Sequence, residues 1–501
     1  MGSKIFEQVQ VDKPRYSGFD LSHEKKLSCN MGELIPIFLS EVVPGDQFKV
    51  SSEVFLRMAP MVAPIMHRVD VYVHYFFVPN RLSWLDWEDF ITGGVDGTGA
   101  ASSFPTIQLN TAEVNIGTLA DYLGIPDNVG TTTGPTVSRF PFLAYQQVWN
   151  EYYRDENLST SIEPANRNWA TISDTNLTTL RQRCWEKDYF TSALPWAQRG
   201  TAISLPIDVL VDQSDSASIT QLPGNVRLDN ATGNPALVYA SDGGTNNDVP
   251  IQLIGDQTEF TINELRRTSA LQRWAETSAR TGYRYVETIR AHFGVKTSDG
   301  RLQRPEYLGG GRQPVHISEV LNTSATTGEP QGNMAGHGVS VGQSNTFKRR
   351  FEEHGYVIGI MSVLPRTAYQ QGIERHWWRS EKEDFYWPEF ANLGEQEIYN
   401  KEIFYDWDTG TNDDVFGYQQ RYAEYKYMTD TVHGEFKSTL YFWHMGRIFN
   451  LTPALNESFV ESDPTTRIFA VDDSSDHLWV QVYNKFQARR PMPFFSDPRL
   501  N

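Results

Sequence analysis

Residues 68–78 read RVDVYVHYFFV, and this stretch decides the fold class. Val69, Val71, Val73, Tyr75 and Phe77 fall on one face at a period of two. Arg68, Asp70, Tyr72 and His74 fall on the other, which is the pattern of a β-strand facing a core on one side. Pro79-Asn80 stops it. Upstream, LIPIFLSEVV, closed by Pro44-Gly45-Asp46, and QFKVSSEVFLRM are two further short apolar runs broken by turn residues, at the spacing of an antiparallel all-β domain. Strands resume far downstream in YVIGIMSVL and, near the end, in HLWVQVYNKF, so the β elements bracket a large irregular middle.

That middle has distinct parts. LSWLDWEDF has helix-like spacing of Leu82, Leu85 and Trp87 before the breaker GGVDGTGA. In FLAYQQVWNEYYRDENL, Phe142, Tyr145, Val148, Trp149, Tyr152 and Tyr153 recur at three and four, with Pro141 at a plausible first turn. Residues 205–258 are rich in Gly, Asn, Asp, Pro and Ser, and between 201 and 260 eight acidic residues stand against the single base Arg227, so the segment reads as an exposed insertion. Thr261 and Glu264 then open a helix in capping-box spacing, and Gly282 interrupts it. From 297 to 345 the chain reads as loop-rich, with Gly309-Gly310-Gly311 expected to form a tight backbone turn.

The chain has 501 residues, enough for about three domains at roughly 150 residues each, and 39% of it is hydrophobic, which excludes wholesale disorder. No apolar run approaches the ~18 to 20 residues of a membrane span, and MGSKIFEQVQ lacks the apolar core of a secretory signal. Two cysteines, Cys29 and Cys184, exclude a disulfide scaffold and a zinc site of paired CxxC units, and read as buried thiols. There is no HExxH, GxSxG, GxxxxGK[ST] or strand-linked GxGxxG, and the histidines have no metal-ligand spacing. Catalytic residues, metal ligands and cofactors are therefore not expected.

With 44 Lys and Arg against 62 Asp and Glu the formal charge is −18, so any contact with nucleic acid requires local concentration of cations. The C-terminal KFQARRPMPFFSDPRLN supplies Lys485, Arg489, Arg490 and Arg499 interleaved with Phe486, Phe494 and Phe495. Cations among rings suit single-stranded nucleic acid, where charge tracks the phosphates and rings stack on bases; the alternative is an arm whose arginines pair with a neighbouring subunit. Lys348-Arg349-Arg350 is a second such cluster, followed at once by Glu352-Glu353. Aromatic residues make up 13% of the chain. Large rings are enriched at interface centres, which makes Phe385, Tyr386, Trp387 and Phe390 of DFYWPEF, and Tyr441, Phe442 and Trp443 of YFWHM, candidate subunit contacts; the alternative is that they fill the protein's own interior.

Six blocks in order carry a family resemblance: FLRMAPMVAPIMHRVDVYVHYFFVPNRL, DYFTSALPWAQRG, PEYLGGGRQPV, EEHGYVIGIMSV, DFYWPEFANLGEQEIYNKEI and VFGYQQRYAEYKY, with the terminal RRPMPFF fitting as well. They resemble the major capsid protein of the gokushoviruses, small single-stranded DNA phages of the microvirus group. The resemblance implies an eight-stranded antiparallel jelly roll with long loop and helical insertions, one discontinuous domain over residues 1–501. It implies pentamers closing into a small T=1 icosahedral shell around circular single-stranded DNA, assembled in the host bacterial cytoplasm. The implied partners are further copies of the chain, the genome, internal scaffolding and DNA pilot proteins, and a host surface receptor, without membrane insertion. The insertion at 205–258 lies where the family carries a protrusion at the three-fold axes for host contact. Two other classes fit composition alone. A carbohydrate-binding or hydrolytic β protein would use Trp faces and paired carboxylates, and a fibre or tail component would show a repeat, of which none is found.

Overall fold

The computed structural model describes residues 15–93, 103–127, 133–200, 225–229, 236–240, 247–248, 262–281, 285–296, 298–321, 334–408, 410–471 and 475–495. Its first strands are β1 (Ser17–Asp20), β2 (His23–Cys29), β3 (Ile35–Val42), β4 (Gln47–Met58) and β5 (Val69–Pro79). A hairpin of β6 (Thr106–Asn110) and β7 (Thr133–Ser138) follows, then the meander β8 (Asn225–Asp229), β9 (Ala236–Ala240) and β10 (Asn247–Asp248). Next come β11 (Glu306–Pro314), β12 (His316–Leu321), β13 (Met334–Gln343), β14 (Phe347–Arg350) and β15 (Gly355–Pro365). The last are the pair β16 (Glu395–Tyr399) and β17 (Val415–Gln420), and the long β18 (Leu478–Arg490).

Two antiparallel sheets carry the fold. In the first, β18 has β4 on one side and, on the other, β2 and β1 laid successively along its length. The far side of β4 pairs with β13 and β14, and β12 lies beyond β13. The second sheet has the order β11-β5-β15-β3. Alternation puts Leu478, Val480, Val482, Phe486 and Ala488 of β18 inward and leaves Trp479, Tyr483, Lys485, Gln487 and Arg489 exposed. Between the sheets, Phe486 packs edge-on against Phe38 at 5.2 Å and Phe48 at 4.8 Å, and Phe77 meets Phe351 at 4.7 Å. A buried polar chain crosses the same core: the Tyr75 hydroxyl donates to Ser52 Oγ at 2.6 Å, Ser52 Oγ donates to Asn484 Oδ1 at 2.5 Å, and Asn484 Nδ2 donates to the Ile37 carbonyl at 3.0 Å. Each group in it finds a partner, which makes burial tolerable.

The strand at the heart of the reading differs from its expectation. β5 is covered on both faces: Asp70 and Tyr72, expected opposite the core, are 2% and 7% exposed. The second cover is the segment between β5 and β11. There Phe76, Val78, Ile358 and Ile360 pack with Leu143, Val148, Trp149, Trp169 and Leu177. The helix Phe140–Val148, with Pro141 in its first turn, runs straight into a π-helical turn at Trp149–Tyr153 and supplies much of that cover. Buried Asp70 is flanked by two cations, with Arg68 at 3.1 Å and Arg312 at 2.8 Å. The helix expected over 82–90 is two short ones, Asn80–Ser83 and Trp87–Thr92, separated by an extended, buried Trp84.

A second correction concerns residues 297–345. Gly309-Gly310-Gly311 lie within β11, next to a bulge between Tyr307 and Gly309, and the glycine-spaced GHGVSVG forms most of β13. These glycines serve close approach of strands: a Cβ on Gly310 would sit 2.5 Å from the Val73 carbonyl oxygen, and one on Gly336 2.4 Å from that of Ala63. The chain divides into two compact units, Gln198–Thr277 and the remainder. The smaller holds the meander β8 to β10 and most of the helix Ile262–Thr281; the rest of 205–258, the capping residue Thr261 and the break at Gly282 lie outside the described residues. Among the described residues no helix is long and apolar enough to cross a membrane.

Candidate nucleic-acid interface and subunit surfaces

Strand alternation sorts the C-terminal cations. Lys485 and Arg489 point to solvent from β18, away from the core. Arg489 lies over the ring of Tyr16 at 5.2 Å, and its cross-strand partner is Gly18, which leaves the guanidinium room. Arg490 turns the other way. Its Nη2 donates to the Glu41 carbonyl at 2.9 Å, its Nε lies 3.6 Å from Asp46 Oδ2, and its guanidinium covers Phe48 at 5.2 Å. Asp46 is fully buried; burial raises its pKa, while the Val43 N–H and the Arg490 charge act to lower it. Arg490 is thus committed within the fold, unlike its neighbour.

The expected interleaving of cations and rings is also resolved into two places. Phe494 stacks on Phe19 at 5.7 Å and Phe495 stands edge-on to Phe494 at 4.9 Å; both are exposed, at 62% and 80%. Phe19 alternates to the face opposite Gly18, so these rings do not share the face of Arg489 and Lys485. Phe486 belongs to the core, and Arg499 lies outside the described residues. The rings that do share the cationic face are Tyr16, Tyr483 and Trp479, at 38%, 37% and 50% exposure.

Pairing adds cations that linear reading left apart. β14 runs beside β4 with Lys348 opposite Lys49 and Arg350 opposite Gln47, while β18 on the other side sets Gln487 opposite Lys49 and Arg489 opposite Gln47. Lys49, Lys348 and Arg350 are all exposed. Arg349 alternates away and pairs with Glu306 at 2.8 Å, and Glu353, which had counted against the cluster, pairs with Arg81 at 2.5 Å. Lys49 was the residue sequence reading missed; its signal exists only in the register.

The aromatic candidates lie on turns. Phe385, Tyr386 and Trp387 are 50%, 52% and 47% exposed, between 3-10 turns at Lys382–Asp384 and Pro388–Phe390, so they do not fill the interior between the sheets. Phe390 is half-buried. Trp387 Nε1 donates to the Lys382 carbonyl at 2.7 Å, the Tyr422 hydroxyl donates to the Phe385 carbonyl at 3.2 Å, and Tyr386 and Tyr422 rings meet at 5.0 Å, which fixes the segment's posture. Tyr441 is 46% exposed, with Phe442 and Trp443 half-buried. Trp377 and Trp407, more exposed still at 74% and 86%, were not singled out from sequence.

One cavity, of about 1000 Å³, is lined by His74, Tyr153, Arg183 and Arg304, among others. Arg304 is paired with Asp299 at 3.0 Å, and Arg183 lies over Tyr72 at 4.1 Å. Among the described residues no three His, Cys, Asp or Glu side chains gather as a metal site. Cys29 is buried, which pushes its thiol well up; Cys184 is only half-buried, and burial still raises it to about 11.

The described residues form a two-sheet β body that presents cationic and aromatic surfaces. The chain belongs to the phage family described as "Capsid protein (F protein)", which matches residues 7–500. It is 36% identical to "Capsid protein VP1" of Chlamydia phage 1 over 99% of this chain and 97% of that one. It is 36% identical to the VP1 of Bdellovibrio phage phiMH2K, over 91% and 90%, and 30% identical to that of Spiroplasma virus 4, over 97% and 95%. It is accordingly a major capsid protein of a microvirus-type phage, a component of the virion and not an enzyme, as the resemblance of its sequence blocks implied.

Proposed function

We propose that the two sheets form an eight-stranded jelly roll, that five copies close into a ring, and that the rings close into a small T=1 icosahedral shell around circular single-stranded DNA. The observation that carries this reading is strand order. Counting β1 with β2 and β13 with β14 as single ranks and leaving aside the outermost β12, the two sheets run β1/β2-β18-β4-β13/β14 and β3-β15-β5-β11, all antiparallel, so successive strands of the two sheets alternate between them except at β5 to β11, which are neighbours in the second sheet. That is the pattern of two packed Greek keys found in viral jelly rolls. A ring of identical copies needs unlike surfaces meeting head to tail. The exposed rings Phe385, Tyr386, Trp387 and Tyr441 support one such surface. Each contact is modest, and many acting together hold the container.

In this reading the segment 205–258 is a surface protrusion that meets the host receptor. Internal scaffolding and DNA pilot proteins assist assembly in the host cytoplasm, and Lys485 and Arg489 face the genome. The test is sedimentation of the full chain, alone and co-expressed with the other particle proteins, followed by negative-stain imaging. Five-membered rings or closed particles of uniform diameter are expected; a chain that stays monomeric in every condition contradicts the proposal.

A further inference from the structure

The solvent side of the first sheet carries a two-dimensional array of cations that no linear stretch contains. Three strands contribute: Lys348 and Arg350 from β14, Lys49 from β4, Lys485 and Arg489 from β18. Register lays them in adjoining rows. Arg350, Gln47 and Arg489 form one; Lys348, Lys49 and Gln487 form the next; Lys485 opposite Ser51 begins the third. Rows on one face of a strand are about 6.8 Å apart and neighbouring strands about 4.8 Å. All five side chains are exposed, and among the described residues none of them forms an ion pair within the chain. Asp20, opposite Gln487, and Glu53 and Glu24, on either side of Tyr483, are acids on the same face; Glu24 pairs with Lys26 at 3.7 Å.

Two features separate this array from an ordinary solvated surface. Lys348 and Lys49 are direct cross-strand partners on one face, and like charges so placed oppose folding. The chain tolerates the pair although its formal charge is −18 and carboxylates abound elsewhere. The cations are also bordered by exposed rings, Tyr16 beneath Arg489 and Tyr483 two residues from Lys485 along β18. A polyanion that also offers flat unstacked bases satisfies both features at once.

We infer that the solvent side of the first sheet, through Lys49, Lys348, Arg350, Lys485 and Arg489, binds the phosphodiester backbone of single-stranded DNA, with Tyr16 and Tyr483 stacking on bases. This rests on the reading of the chain as a genome-enclosing shell and adds which face looks into the lumen. Binding is independent of base sequence and weakens with salt, since each neutralised phosphate releases counterions.

The test measures binding of a fluorescent oligo-thymidine strand to the full chain across a salt series. Five contacts correspond to a slope of log K against log salt of about −3.5, at about −0.7 per contact on single strands. The variant Lys49→Gln/Lys348→Gln/Arg350→Gln should lower the magnitude of the slope by about 2. Lys49→Arg/Lys348→Arg should retain it, and Lys382→Gln/Lys426→Gln/Lys437→Gln, exposed cations elsewhere, should leave it unchanged. Inorganic polyphosphate of equal charge should bind more weakly than oligo-thymidine; equal binding overturns the single-strand assignment. An unchanged slope in the first variant overturns the site, and so does loss of shell formation with unchanged slope, which marks the face as a contact with an acidic neighbouring copy. Shell formation by the unmodified chain, scored on the same preparations, reports separately on the capsid assembly.

Discussion

Arg489 and Arg490 adjoin in sequence, yet strand alternation sends one to solvent and the other toward buried Asp46. Replacing Arg490 by Ala removes a charge-assisted bond to the Glu41 carbonyl and strips Asp46 of its cation, at a cost of about 2 kcal/mol. Replacing Arg489 by Ala should change stability by less than about 0.5 kcal/mol, as exposed sites do. Denaturant unfolding of both variants checks the contrast. His74 gives a second residue-scale prediction. Burial, with the Arg183 charge behind it, pushes its pKa from 6.5 to about 4, and its Nδ1 lies 2.8 Å from the Tyr153 hydroxyl. The unfolded chain takes up this proton near pH 6.5 and the folded one only near 4. Stability therefore falls as pH is lowered through that window, by at most about 1.4 kcal/mol per unit and on the order of 3 kcal/mol in all. Unfolding midpoints measured from pH 7 to 4 should show this fall, and His74→Gln should remove that part of it.

At the scale of elements, the strands that were legible in the sequence are those whose apolar residues alternate or run on without clustered glycines. β4, β5 and β18 announce themselves by period, and β15 by its continuous apolar run. β11 and β13 did not, because their glycines read as turn signals while in the fold they admit a neighbouring backbone. The cover over the outer face of β5 was equally hidden, since periodicity within one strand does not reveal what a later insertion lays upon it. Gly310→Ala should therefore destabilise by about 1–3 kcal/mol through its clash with the Val73 carbonyl, whereas Gly18→Ala, with nothing within 4 Å of the added Cβ, should be near neutral. Thermal unfolding of the pair distinguishes strand packing from a general intolerance of glycine replacement.

At the scale of the whole molecule, segments from both ends of the chain lie side by side: β18 is bordered by β1, β2 and β4. That closure explains why Lys49 was invisible as part of a cationic surface, while Lys485 and Arg489 were legible from their crowded C-terminal context. Deleting residues 215–250 should spare shell formation and abolish adsorption to host cells, and particle counts against adsorption assays check it; loss of particles instead would make the segment structural. The account turns on a two-sheet body whose flanks fit unlike faces of its own copies until a surface closes. Cryo-electron microscopy of the particle tests it most directly. The account predicts five copies around each five-fold axis, with Lys49, Lys348 and Arg489 facing the lumen; closed particles lacking that ring, or with this face turned outward, would contradict it.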